Sequence, residues 1–316
     1  VVQVYNLILI KNYLEGLPYE LEESAGIDGA NSLQVMFRIL LPVSMPCVAS
    51  VSLFTAVTFW NNYTSALLYL GTEENGILID AGVSLRRLKK TLQENGLDLD
   101  SFSAVLVTHD HLDHIRHLGS FCKKLCVPVY TTDVIHGALA RHTFTAATIA
   151  PCRRILEEGE WNEVAGMKVR YFVVPHDATQ TVGYAIEADG HKFVIMTDVG
   201  RMTDEAVAYA RQADTVVVES NYDMDMLMGG PYTYELKMRI VQGCGHLSND
   251  ECASAIRRFW HPGLRNIFLC HLSENNNTHD LAYRCSLEAL QSLGVQKGTV
   301  ALRCLPRQIP SQMFTL

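Results

Sequence analysis

Apolar and polar positions divide the chain into two stretches of different pattern. From Ile39 to Thr72, 34 residues pass without an Asp, Glu, Lys or Arg. The part of this stretch at 46–70 is long enough to cross a bilayer, and its one Trp and two Tyr are residue types that favour membrane interfaces. The pattern predicts one membrane-spanning helix over 46–70, with a buried core helix as the alternative.

From Gly71 onward, short apolar runs alternate with segments of helical periodicity. Strands are predicted at 76–82, 104–107, 128–131, 168–174, 181–187, 192–196, 215–219, 266–270 and 299–303. Helices are predicted at 85–95, 113–124, 203–212, 232–242, 249–260 and 280–293. Ser84 is the expected N-cap of the first helix, and Asp189-Gly190 is a hairpin signal. Strands mixed with helices predict an α/β fold with layered sheets covered by helices.

Composition narrows the class of protein. The chain has 316 residues, a formal net charge of −8 and a hydrophobic content of 48%. The acidic balance excludes a broadly basic nucleic-acid-binding protein, so any such role must rest on a local patch. Nine cysteines, an odd number, favour a reducing compartment. We expect the part from Gly71 to be cytoplasmic, and the chain to be held at a membrane if the 46–70 span forms.

The stretch "HDHLDH" at 109–114 directly follows the apolar run 104–107. His109 and His111 stand two apart in an extended turn and can face one ion, while Asp113 and His114 can face a neighbouring ion. Imidazole and carboxylate are ligands of Zn²⁺, Mn²⁺ and Fe²⁺. The run therefore predicts part of a metal site; a solvated polar loop is the alternative.

Three later strands end in the same way, with a single ligand-type residue after an apolar run. These residues are His176 in "YFVVPHD", Asp198 in "FVIMTDVG" and His271 in "IFLCHLS". Each alone could be a polar residue with a structural role. Together with 109–114 they make a set of seven candidate metal ligands.

In its order and residue types this set resembles the metallo-β-lactamase-fold hydrolase superfamily. The resemblance covers about 71–316 and implies an αββα sandwich with two divalent ions, expected to be zinc, with manganese or iron as alternatives. It implies that one ion is held by His109, His111 and His176, and the other by Asp113, His114 and His271. Asp198 would bridge the two ions, and Asp80 in "LIDAG" would orient a ligand imidazole.

Further phrases, among them "VPHDATQTVGYAI", "VVVESNYDMDML" and "GCGHLSNDE", are similar to the YycJ/WalJ-type exonuclease subgroup. The expected function is hydrolysis of DNA from the 5′ end by water activated between two metal ions. Catalytic roles are expected for Asp113, Asp198 and His246, the last at substrate phosphate or the leaving group. Substrate contacts are expected from Asn221, Asp223, Ser248 and Ser273. Arg201, Lys237, Arg239, Arg257 and Arg258 either steer a polyanion or are solvated helix charges.

The segment before residue 71 resembles the permeases of sugar-uptake ABC transporters. "LPYELEESAGIDGANSLQVMFRILLPVSMP" at 17–46 is similar to their cytoplasmic coupling loop, which in that family docks on the ATPase subunit. The stretch "NNYTSALLYL" stands where the hydrolase subgroup has its first strand and a Ser/Gly-rich turn. We therefore predict two parts, a permease-like fragment at 1–70 and a hydrolase domain at 71–316 that lacks its usual first strand.

Two further hypotheses about the function are compatible with the sequence. The first is a thioesterase or glyoxalase-like hydrolase that uses the same metal site. The second is an inactive chimera of two unrelated coding pieces joined near 66–75. The chimera is favoured by topology, because Lys11 and Arg38 before the span and Glu73 and Glu74 after it would place the hydrolase outside the cell.

Overall fold

The computed structural model describes residues 11–18, 20–27, 29–45, 68–71, 75–307 and 309–314. The chain divides into two compact units, Val1–Tyr63 and Thr64–Leu316. The division lies a few residues before the boundary at 70/71 expected from the sequence. Residues 68–71 accordingly fold with the second unit.

The described part of the first unit is helical. Its elements are the helix Glu20–Ile27, the short helix Ser32–Val35, a π-helical segment Met36–Leu40 and a last turn Leu41–Val43. Asn31 begins the second helix with a reciprocal cap, since its side chain accepts from the Gln34 amide at 3.0 Å and its own amide donates to the Gln34 side chain at 2.9 Å. This exchange satisfies two amides that a helix start otherwise leaves without partners.

The membrane-span prediction has two outcomes. Its larger part, 46–67, lies outside the described residues. The prediction is wrong for its last three residues, Leu68–Leu70, because they belong to a β-strand that pairs with Gly76–Ile79. Among the helices of the described ranges, none is both long and apolar enough to cross a membrane.

The second unit contains two β-sheets. The five-stranded sheet has the order β1 to β5, and its strands are Leu68–Gly71, Gly76–Ile79, Ala104–Leu106, Val129–Thr131 and Arg153–Ile155. In it β1 is antiparallel to β2, and the other neighbours are parallel. The seven-stranded sheet has the order β12-β11-β10-β9-β8-β7-β6. Its strands are β6 Asn162–Val164, β7 Met167–Val174, β8 Thr181–Ala188, β9 His191–Met196, β10 Thr215–Glu219, β11 Asn266–Cys270 and β12 Ala301–Cys304.

Nine α-helices of the second unit cover these sheets within the described ranges. They are α1 Leu85–Glu94, α2 Leu112–Ile115, α3 Leu118–Leu125, α4 Asp133–Leu139, α5 Asp204–Ala210, α6 Met224–Gly229, α7 Tyr234–Val241, α8 Asn249–Phe259 and α9 His279–Ser292. Ser84 caps α1 by accepting the Arg87 amide, as predicted. One apolar cluster joins the facing sides of the two sheets with α1, α3 and α4. A second cluster lies between the seven-stranded sheet and α5, α8 and α9.

This layering confirms the α/β class and the helix–sheet–sheet–helix sandwich. The expected helix at 113–124 is instead two helices, α2 and α3. It breaks because the His117 amide donates to the Ala81 carbonyl at 3.0 Å rather than within the helix, while the Ala81 amide donates to the His114 carbonyl at 2.7 Å. The break fixes α2 against the end of β2, so that the "HDHLDH" motif is held from both sides.

Candidate metal centre

Strands of both sheets end at one edge of the sandwich, and each delivers a ligand-type residue there. In the seven-stranded sheet β9, β10 and β11 are parallel, so Asp198, Glu219 and His271 come to the same edge. Asp80, Asp198 and His271 have φ angles of 63°, 57° and 54°. The left-handed region is unfavourable for residues with a Cβ and is concentrated at functional sites. The three left-handed backbone conformations therefore indicate a functional site at this edge, independently of the residue types found there.

His109, His111 and His176 form the first group of candidate ligands. Each offers a ring nitrogen, and these atoms lie within 4.8 Å of one another. His111 Nδ1 and His176 Nε2 are 3.3 Å apart, and His176 Nδ1 is fixed 2.7 Å from the Gly245 carbonyl oxygen. That bond puts a proton on His176 Nδ1 and leaves the lone pair on Nε2.

Asp113, His114 and His271 form a second group whose ligand atoms lie within the same 4.8 Å limit. The Asp198 carboxylate stands between the two groups. Its Oδ2 is 3.3 Å from His114 Nε2, while its Oδ1 is 3.4 Å from His271 Nε2 and 3.8 Å from His176 Nε2. Burial alone would raise the pKa of Asp198, but the imidazoles of His271 and His114 outweigh it and hold the pKa well below its usual range.

The chemistry of these side chains fits divalent metal ions. His109 Nε2 is buried and has no hydrogen-bond partner among the described residues, which is costly for a polar atom unless something else binds it. Burial and the neighbouring His114 hold the pKa of His109 well below its usual value. The His109 imidazole is therefore neutral, with a lone pair to offer a cation.

Asp80 contacts His114, and its role in orienting a metal ligand stays a prediction. Its Oδ2 accepts from His114 Nδ1 at 2.7 Å and from the Thr108 hydroxyl at 2.8 Å, and its Oδ1 accepts from the Thr108 amide at 2.8 Å. One proton of His114 is thereby kept on Nδ1, and Nε2 is the nitrogen that faces Asp198.

Glu219 is the residue that the sequence analysis missed. It ends β10 and its side chain is fully buried. One oxygen accepts from His246 Nδ1 at 2.7 Å and from His271 Nδ1 at 2.8 Å, and the other accepts from the Val199 amide at 2.7 Å. Burial would raise the pKa of Glu219, yet the two imidazoles lower it to about 2. An apolar strand followed by one carboxylate is the same signal that singled out Asp198.

His246 lies beside this cluster, with its ring centroid 5.0 Å from that of His176 and 5.2 Å from that of His271. It follows a loop that leaves no room for a larger residue, because a Cβ on Gly245 would stand 2.1 Å from the Ile240 carbonyl oxygen. The loop thus fixes both His246 and the Gly245 carbonyl that orients His176.

The four predicted substrate residues are placed differently. Asn221 lies on the site, since its amide nitrogen is 2.7 Å from the His271 carbonyl oxygen. Ser273 is close by and donates its amide to the Asn221 carbonyl. Asp223 caps α6, and the Ser248 hydroxyl donates to Glu251 within the cap of α8. The hydroxyl of Ser248 and the carboxylate of Asp223 are thus engaged in local structure, and all four substrate contacts stay predictions.

We expect Gly245→Ala to destabilise the fold by about 1–3 kcal/mol, the usual cost of forcing extra atoms into a packed position. The displaced loop would also weaken metal binding by His176. Urea unfolding and metal titration check both effects. Gly229→Ala is the matched control, because a Cβ there meets no atom within 4 Å. Equal behaviour of the two variants would contradict the packing argument.

Comparison with known proteins identifies the second unit. Residues 75–268, more than half of the chain, match the family model described as "Beta-lactamase superfamily domain". Exodeoxyribonuclease YycJ of Bacillus anthracis is 32% identical over 235 residues, covering 74% of this chain and 88% of the relative. The crystal structure of Zn²⁺-bound PqqB from Methylobacterium extorquens has the same fold, with a TM-score of 0.58 at 21% identity over 76% of this chain and 85% of that one.

The N-terminal part matches a different family. Residues 3–85 match the model described as "Binding-protein-dependent transport system inner membrane component". The polygalacturonan/rhamnogalacturonan transport system permease protein YtcP of Bacillus subtilis is 52% identical over 69 residues, which is 22% of this chain and 24% of the relative. The chain spans about a quarter of the permease relative's length, so docking on an ATPase subunit stays a prediction.

The fold, the paired ligand groups and the family match agree with one another. Divalent metal ions are implied by this fold, and the described residues provide groups able to hold them. The chain belongs to the β-lactamase superfamily, as a metal-dependent hydrolase joined to an N-terminal permease-like segment.

Proposed function

We propose that the protein is a phosphodiesterase with two metal ions that degrades DNA from the 5′ end. The observation that carries this proposal is the position of Asp198. Its carboxylate lies within 3.8 Å of ring nitrogens from both groups of candidate ligands, as a carboxylate shared by two ions requires.

In this proposal His109, His111 and His176 would hold one ion, Asp113, His114 and His271 would hold the other, and Asp198 would serve both groups. Bound zinc, manganese or iron would supply an activated water and positive charge for the phosphodiester. The buried carboxylates of Asp80 and Glu219 keep three ligand and near-ligand imidazoles in one orientation and one tautomer.

His246 is the proposed proton donor to the leaving oxygen. Its Nδ1 donates to Glu219, which leaves Nε2 as the nitrogen that exchanges a proton. Burial lowers the pKa of His246, but Glu219 outweighs it and raises the pKa above its usual value, which favours the protonated imidazole that a proton donor requires. A positioned general acid typically contributes about 10²–10⁴ in rate.

DNA is favoured as substrate by the relatives, which are named exodeoxyribonucleases and match along most of their length. The identity of the metal, the 5′ polarity and the substrate contacts of Asn221 and Ser273 belong to the same proposal. One alternative is a thioesterase or glyoxalase-like activity. The other is an inactive protein, in which the N-terminal join has abolished hydrolysis.

The test uses the full chain, loaded in turn with Zn²⁺, Mn²⁺ and Fe²⁺, on DNA labelled at the 5′ end, DNA labelled at the 3′ end and a panel of thioesters. The proposal expects early release of the 5′ label, with two ions per chain by elemental analysis. Turnover of thioesters alone would replace the proposal with the competing activity. A chain that binds two ions and hydrolyses neither class would support the inactive fusion.

A further inference from the structure

The loop that follows His176 also touches His111, the most open member of the first ligand group. The His111 side chain is 35% exposed, and its Nε2 lies 3.2 Å from the Asp177 carbonyl oxygen. A carbonyl only accepts, so this contact puts the His111 proton on Nε2. The lone pair then stays on Nδ1, the atom that lies 3.3 Å from His176 Nε2.

Two further contacts hold this loop on either side of His111. Asp110, which stands between His109 and His111, accepts from the Thr179 hydroxyl at 2.6 Å and from the Thr179 amide at 3.1 Å. At the other side, the Arg239 guanidinium on α7 forms an ion pair with the Asp177 carboxylate. Of these two contacts, the ion pair between Arg239 and Asp177 is the one that connects the loop to a separate helix.

We propose that Arg239 is a positioning residue for the first metal site. Through its ion pair with Asp177 it holds the acceptor of His111 Nε2 in place, and so it sets the tautomer of His111 and the affinity of His109, His111 and His176 for their ion. The inference rests on the metal centre of the proposed function. It adds Arg239, which acts on the candidate metal ligands through Asp177 rather than by direct contact.

The exposure of the pair separates this role from a contribution to stability. Arg239 is 67% exposed and Asp177 28%, and exposed ion pairs contribute little to the stability of a fold. Partners that orient metal ligands, by contrast, change metal affinity by about 10–100-fold. Loss of Arg239 should therefore leave the fold almost unchanged and act on one metal site.

The experiment titrates the metal-free full chain with Co²⁺, followed by visible absorption, and compares Arg239→Gln with Arg239→Lys and Asp177→Asn. Arg258→Gln is the matched control, because Arg258 forms a similar exposed pair with Asp204, 2.6 Å long, on another face. Long-range ¹H–¹⁵N NMR of histidine-labelled protein reports the tautomer of His111, and thermal unfolding reports the fold.

We expect Arg239→Gln and Asp177→Asn to weaken one of the two binding steps by about 10–100-fold, with a mixed His111 tautomer and an unchanged melting temperature. Arg239→Lys should restore much of the affinity, and Arg258→Gln should change neither step. Wild-type affinity for both ions in Arg239→Gln would overturn the inference. A wild-type chain that binds no ion would overturn it together with the proposed function, whereas two bound ions without DNA cleavage would overturn the function alone.

Discussion

Asp198→Asn is expected to leave the chain folded, to remove at least one metal ion per chain and to lower hydrolysis by at least about 100-fold. Residues that merely orient a ligand already account for about 10–100-fold in affinity or activity, and Asp198 contacts both ligand groups directly. The substitution keeps the size of the side chain. It also keeps the backbone, because Asn tolerates the left-handed φ of 57° found at this position. The change is therefore confined to the charge and one oxygen.

Metal content by elemental analysis and kcat/KM for the hydrolysed substrate measure this effect. Asp189→Asn is the matched control: it lies in the exposed β8–β9 turn with a φ of 51°, so the same chemical change is made on a similar backbone away from the site. Two ions per chain and wild-type turnover in Asp198→Asn would show that Asp198 does not join the two groups.

The candidate ligand groups could be predicted from the sequence because they follow the ends of apolar strands. Parallel strands bring their ends to one edge, so residues far apart in the chain meet there without any need to know the loops between them. Glu219 carries the same signal at the end of β10, where one carboxylate follows an apolar strand. Its role depends on Val199, His246 and His271, which no spacing along the chain relates to it.

Three strands were not predicted, Asn162–Val164, Leu68–Gly71 and Arg153–Ile155, and the last two have weak or misleading patterns. Leu68–Gly71 continues an uncharged apolar stretch, and only its pairing with Gly76–Ile79 makes it a strand. Arg153–Ile155 is exposed at all three positions, so no alternation marks it. In both cases the backbone partner decides the structure, and the partner cannot be read from local periodicity.

The join between the two family matches is a feature of the sequence itself. The permease match runs to residue 85 and the hydrolase match begins at residue 75, so the two matches overlap at residues 75–85. In the structure this stretch supplies β2, Asp80 and the start of α1, and Asp80 holds His114. The hydrolase elements around the metal centre are therefore built from β2 onward, while the absence of the usual first strand and the chimera hypothesis stay predictions.

Glu219→Gln is expected to destabilise the protein by about 3–5 kcal/mol, the cost of breaking a buried charged network by removing one partner. The physical reason is that Glu219 meets only donors. His246 and His271 donate to one oxygen, and the Val199 and Leu247 amides donate to the other. A glutamine NH2 group turned toward Val199 and Leu247 faces their N–H groups, and turned toward the imidazoles it forces their protons from Nδ1 to Nε2, so both orientations disrupt the buried network.

The same substitution should also weaken binding of the ion that His271 is proposed to hold, by about 10–100-fold, since His271 loses the acceptor that fixes its ring. Urea unfolding and metal titration measure the two effects separately, and Glu187→Gln, on the surface end of β8 with Lys192 3.5 Å away, is the matched control. A stable Glu219→Gln variant with intact metal affinity would mean that Glu219 contributes to neither stability nor metal binding. A loss of stability alone, with both ions still bound tightly, would mean that it supports the fold and that His271 is held by Asn221 instead.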